Sequence, residues 1–145
     1  MATTSRRQST PLISRLAEEP YRFDFFQAVR LLDRFAEQEA QAQGREPRPT
    51  IGEDGPASNE IARFRVYQSH SFPPGSLQQL TLQHDDLDST PLAEMTVAFM
   101  GLTGPAGVLP HHLTSLIIER VRERDHSLKD YLDLFNHRMI SLFYR

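Results

Sequence analysis

At 145 residues the chain has the length of one domain, enough to bury about two thirds of its unfolded surface. A formal net charge of −3 argues against a general nucleic-acid binder, and the absence of cysteine excludes disulfides, thiolate zinc sites and cysteine nucleophiles. No apolar run approaches the ~18 residues of a membrane helix, so no direct membrane insertion is expected.

The first residues are polar and include Ser5-Arg6-Arg7. A twin-arginine export signal needs an apolar core of ~7–15 residues, which Arg15, Glu18 and Glu19 interrupt. Residues 1–10 therefore read as a disordered start to a single α+β domain over residues 11–145. Thr10 and Pro11 suit the cap and first turn of a short helix that stops before Pro20. Asp24 with Gln27 has capping-box spacing, and Phe25, Val29, Leu32 and Ala36 then share one helical face, flanked by Leu31 and Phe35. From about Glu37 to Glu60 the chain is polar and aperiodic, with three prolines and three glycines, and reads as a mobile loop.

Strand-like alternation follows at Ala62, Phe64 and Val66, at Leu80 and Leu82, and at Met95, Val97 and Phe99. These imply a small, mostly antiparallel sheet. Leu113, Leu116, Ile117 and Val121 mark a helix over about 111–124. Ser127 with Asp130 has the spacing to cap a last helix that runs to Arg145. The fold class is thus N-terminal helices, a small sheet and two C-terminal helices, with the character of an incomplete part of a larger fold.

Between the last strand and its helix lies FMGLTGPAGVLPHH, residues 99–112. Gly101, Gly104 and Gly107 recur every third residue, with Pro105 and Pro110 among them, which specifies a tight corner. One reading makes this a phosphate cradle, and hence a small phosphate- or nucleotide-binding enzyme. However, Walker-type loops end in Gly-Lys-Ser/Thr, and here the helix opens with Pro110-His111-His112. Gly104-Pro105-Ala106-Gly107 instead fits a type I turn. His111 and His112 diverge by about 100° on a helix and do not share a metal easily. His84 with Asp85 and Asp86 offers at most a weak cation loop, and His126 and His137 lack metal-pair spacing. There is no GxSxG or SxxK nucleophile, and the acid pairs Asp85/Asp86 and Asp130/Asp133 have polar neighbours. No catalytic residue, cofactor or metal is assigned.

The last helix is apolar on more than one face. Leu128, Tyr131, Leu132, Phe135, Met139, Leu142 and Phe143 form a stripe about 120° wide, suited to a core. Leu134, Ile140 and Tyr144 fall outside it. Each large side chain left in water forgoes roughly 1.5–3 kcal/mol, so the second set requires cover from this chain's first helix, from a partner subunit, or from a remainder of the chain beyond Arg145. His137 is spaced to face Asp133, and Arg138 to reach Asp24 or a partner's carboxylate.

Three blocks resemble a known family. FMGLTGPAGVLP looks like the signature segment of TssG (ImpH or VasB), a baseplate subunit of the bacterial type VI secretion system. EPYRFDFFQAVRLL, residues 19–32, is similar to that family's opening helix, and DYLDLFNHRMISLFYR, residues 130–145, resembles its DFLDLFNHRLLSLFYR helix. The stretch 63–73 matches the family's FRS…SLxFP strand only loosely, and Arg145 falls about halfway along the family's length, so the resemblance is to the N-terminal half. It implies a structural protein without reaction or cofactor. Such a protein would be cytoplasmic, docked at the inner face of the envelope, and assembled with TssF above all and with TssE and TssK. The expected partner interface comprises Tyr21, Phe23, Phe25 and Phe26 on the early helix. On the last helix it comprises Leu134, Phe135, Arg138, Ile140, Phe143 and Tyr144.

Overall fold

Phe25, Ala28, Val29 and Leu32 follow one another at helical spacing, and all four are buried on the inner face of α2 (Phe25–Gln43). In the computed structural model of the protein, residues 6–44, 46, 48–83 and 92–145 are described. α1 (Arg6–Glu18) adds Ile13 and Leu16 to the same core and joins α2 through a 3-10 turn at Pro20–Arg22. These two helices pack against a sheet of β1 (Ala62–Val66), β2 (Leu77–Leu82) and β3 (Ala93–Val97). Phe25 meets Phe64 of β1 with ring centroids 5.6 Å apart. Ala62, Phe64 and Val66 face inward, as do Ala93, Met95 and Val97, which is the period-2 burial of a half-covered sheet. α3 (His111–Arg122) and α4 (Ser127–Tyr144) complete an α+β fold.

The strand order is β1-β3-β2. β2 and β3 are antiparallel, with an irregularity between Leu77 and Gln79, whereas β1 and β3 are parallel in the register Phe64 to Met95. The sheet is therefore mixed rather than mostly antiparallel. β3 slots between the two strands that precede it, and alternating burial does not reveal such an insertion, because β1 and β3 carry the same in-out pattern.

Other boundaries also move. α1 begins at Arg6, so Thr10 and Pro11 lie inside the helix instead of opening it, and the expected disordered start overlaps its first turn. α2 continues through the polar stretch 37–43 to Gly44, whose N–H closes on Ala40 and Gln41 carbonyls. That stretch is Glu, Gln and Ala, strong helix formers that need no buried face to extend an existing helix. The Asp24 side chain makes no capping bond. The segment expected to be a mobile loop also contributes to the interior, with Ile51 and Glu60 buried. The expected cap of the last helix is replaced: Asp125 Oδ1 accepts the Ser127 N–H at 3.0 Å.

α3 stops in a Schellman motif. The Asp125 N–H donates to the Arg120 carbonyl at 2.9 Å, and the Arg124 N–H donates to that of Val121 at 3.0 Å. The motif requires a left-handed residue, and Arg124, exposed, takes φ +64 there. Arg124→Gly relieves the Cβ crowding of that conformation and is expected to stabilise the domain by about 0.5–1 kcal/mol, read as a higher urea midpoint at unchanged slope.

Candidate protein-interaction face

β1 is an edge strand. Its odd-numbered neighbours bond to β3, as shown by the Tyr67 N–H donating to the Val97 carbonyl at 2.8 Å. The N–H groups of Phe64 and Val66 therefore point outward, where another strand would ordinarily sit. α4 lies there instead, running antiparallel to β1. The Phe64 N–H donates to His137 Nδ1 at 3.1 Å, and the Val66 N–H donates to Asp133 Oδ1 at 3.2 Å. The match is geometric: two strand residues advance about 6.6 Å and four helix residues about 6 Å. Side chains one helical turn apart thus cap successive outward N–H groups of the strand.

A buried polar face on α4 follows from this. Asp133, Asn136, His137 and Ser141 are all buried. Asn136 Oδ1 accepts the Leu102 N–H at 2.9 Å, and its Nδ2 donates to Asp133 Oδ1 at 3.0 Å. Lys129 Nζ reaches Asp133 Oδ2 at 2.9 Å, and Arg65 spans from Glu94 at 2.9 Å to Asp130 at 2.8 Å. Because His137 Nδ1 accepts a hydrogen bond, the ring proton resides on Nε2, which faces Glu60 Oε2 at 3.3 Å. Ser141 Oγ donates to the same Glu60 oxygen at 2.9 Å, and Arg138 lies 3.6 Å from the other. Burial pushes the Glu60 carboxyl up. Hydrogen bonds from His137, Ser141 and the Gly52 backbone outweigh it and leave the group below the ordinary carboxylate value.

The glycine corner closes on itself. The Gly107 N–H donates to the Gly104 carbonyl at 3.1 Å, the Leu109 N–H to that of Leu102 at 2.9 Å, and the Val108 N–H to that of Gly101 at 3.4 Å. The Gly104 N–H donates to Thr114 Oγ1 of α3 at 3.1 Å. With Leu102 spent on Asn136, five N–H groups that a phosphate would need are committed inside the protein. Gly104 has φ +92, and a Cβ there would collide with the Tyr67 carbonyl. Gly101, Gly104 and Gly107 with Pro105 and Pro110 thus form a corner that anchors α3 and α4 to the end of β1. Among the described residues no three histidine, aspartate or glutamate side chains converge as a metal site. The His84-Asp85-Asp86 group lies outside the described residues.

With its polar face inward, α4 turns apolar residues outward. Tyr131 is 57% exposed, Leu134 59%, Phe135 49% and Leu142 48%. This reverses the expected helix orientation, in which the Tyr131–Phe135–Leu142 stripe formed the core. The residues expected at a partner interface divide accordingly. Tyr21, Phe26, Leu134, Phe135 and Phe143 are exposed, and Phe26 packs on Phe143 at 5.7 Å. Phe25 and Ile140 are core residues, 2% and 0% exposed, and are withdrawn from that surface. Phe23 and Tyr144 are partly buried against the core, and the Tyr144 hydroxyl donates to Asp33 at 3.2 Å. Arg138 does not meet Asp24; it donates to the Glu53 carbonyl at 3.3 Å. His137, expected to face Asp133, instead bonds Phe64 and approaches Glu60, and the strand-capping role of both residues escaped the sequence reading, although Asp133, Asn136, His137 and Ser141 share one helical face by spacing alone.

Two outcomes follow for the buried face. His137→Ala strands the Phe64 N–H and removes one of the groups facing the buried Glu60 carboxylate, and is expected to cost about 2–4 kcal/mol in urea unfolding, with exposed His126→Ala near neutral. Because the Glu60 pKa is lower folded than unfolded, its contribution is complete above the ordinary value of 4.5 and is lost as pH falls through the folded value. Stability measured from pH 6 downward should fall below that point by up to about 1.4 kcal/mol per pH unit from this group, and Glu60→Gln should remove that component of the slope.

Neither the curated proteins nor the solved structures contain a match to the chain. The family described as "Type VI secretion, TssG" matches residues 19–145, nearly the whole chain, including the corner, the buried polar face and α4. The chain belongs to the TssG family, whose members are structural components of the type VI secretion baseplate.

Proposed function

We propose that this chain is an assembly subunit that holds neighbouring baseplate proteins at fixed angles through the exposed face of α4 and performs no reaction. The observation that carries this reading is the orientation of α4. Its directional polar contacts are consumed inside the domain, and Tyr131, Leu134, Phe135 and Leu142 are left in water. A cluster of exposed aromatic and aliphatic side chains on a rigid element is the usual form of a protein-binding surface. Phe26 and Phe143 extend it across to α2.

A TssF-type subunit is the principal partner, with TssE- and TssK-type subunits in the same assembly, at the cytoplasmic face of the envelope. No helix among the described residues is long and apolar enough to cross a membrane. The family's structural role and the internal satisfaction of the corner's N–H groups support a scaffold over a phosphate-binding enzyme.

Co-expression of the tagged chain with the TssF-, TssE- and TssK-type subunits of the same gene cluster tests this. The TssF-type subunit should co-purify in a complex that survives gel filtration. Retention of the TssK-type subunit without the TssF-type one, or of none, would contradict the assignment.

A further inference from the structure

The outward face of α4 has a definite periodicity. Leu128, Tyr131, Phe135, Arg138 and Leu142 are separated by three, four, three and four residues, and Arg145 lies three beyond. This is the seam of a two-helix contact, in which side chains at 3.5-residue average spacing keep facing a second helix. A flat surface or a strand would not select that spacing. We propose that the seam receives an amphipathic helix of the TssF-type partner that carries carboxylates opposite Arg138 and, one heptad on, Arg145. The proposal rests on the assembly reading above.

Charge decides the occupant. The Arg138 guanidinium has only long contacts, 3.6 Å to Glu60 and 3.9 Å to Asp54, besides the Glu53 carbonyl. Arg145 leans on the same Asp54 at 3.9 Å and on the Gly52 carbonyl at 3.5 Å. Asp54 is 91% exposed, and Ser141 and His137 hold one oxygen of the Glu60 carboxylate, leaving the other to a long 3.6 Å approach from Arg138. The two cations on the seam thus have only long ion pairs, Arg145 with the exposed Asp54 and Arg138 with Asp54 and one oxygen of Glu60. A helix laid over them removes their water and must replace it with acceptors. A second copy of this chain does not supply them. Parallel pairing sets Arg138 against Arg138, and in antiparallel pairing the facing seam residues, Leu128, Tyr131, Phe135, Arg138, Leu142 and Arg145, include no carboxylate.

The test uses the whole chain and two synthetic three-heptad helices with leucine seams, identical except for glutamates or lysines at the two positions, seven residues apart, that would face the arginines. Fluorescence anisotropy should show the glutamate peptide binding roughly tenfold or more tightly. Arg138→Gln should reduce that preference, and Phe135→Glu should abolish binding of both peptides. Phe135 is exposed and Arg138 half-buried, and a cooperative melting transition for each variant confirms that it folds. Equal binding of the two peptides, or binding untouched by Phe135→Glu, overturns the proposal. So does a concentration-dependent dimer of the chain alone that Phe135→Glu dissolves, which would make a second copy the occupant. If the TssF-type subunit co-purifies equally with wild type, Phe135→Glu and Arg138→Gln, the seam is refuted and the assembly role stands. If that subunit is not retained while the peptides are discriminated, the assignment of the partner is what fails.

Discussion

The fold of this chain turns on two backbone N–H groups. Phe64 and Val66 belong to an edge strand, and their outward N–H groups are shut off from water by α4. A buried N–H without an acceptor costs about 1–3 kcal/mol, a large fraction of the stability of a small domain. His137 and Asp133 supply the acceptors, and in doing so they fix which way α4 faces. Rotating the helix to bury its larger apolar stripe would strand both groups and leave the Asp133 carboxylate and the His137 ring without their strand partners. The gain in burial would be offset by several unsatisfied polar groups at once.

The same contacts tie together segments far apart in sequence. Glu60, just before β1, is held by Ser141 and His137 on α4. The corner after β3 is bound to α4 through Asn136 and to α3 through Thr114. Ile140, on the inner side of the helix, belongs to the apolar core of the domain. α4 is therefore locked at three places: the end of the long loop, the outer edge of β1, and the glycine corner. Polar contacts suit this role because they are directional and fix register, whereas apolar contacts tolerate rotation.

Much of this was legible in the sequence. The three strands, the corner and the last two helices are local in origin. Alternation, glycine-proline spacing and helical periodicity are written into windows of a few residues. What escaped was non-local. The parallel pairing of β1 with β3 depends on β3 entering between two earlier strands, and nothing in either strand's own pattern records that. The inward face of α4 was misread because apolar content is the ordinary guide to burial, and the helix carries apolar residues on nearly every side. Only the acceptor need of a neighbouring strand distinguishes the faces. The overrun of α2 through residues 37–43 has a different cause, since propensity without amphipathicity was enough to extend a helix already nucleated.

The division of labour on α4 explains how an assembly protein can afford an exposed apolar surface. If apolar burial held the helix to its own domain, a partner offering more apolar area would compete for the same side chains, and the helix could turn. Here the helix is held chiefly by contacts that a hydrophobic partner cannot replace: carboxylate, imidazole and amide acceptors aimed at named N–H groups. The outer side chains are then free to supply affinity without any change in the domain behind them. The corner reinforces this, because its glycines bring the backbone against Val66 and Tyr67 too closely for a Cβ to fit, and its own N–H groups are consumed internally. The result is a rigid platform presenting a face that is greasy at its centre and cationic toward one end, which suits the role proposed above of fixing the angle between neighbouring subunits.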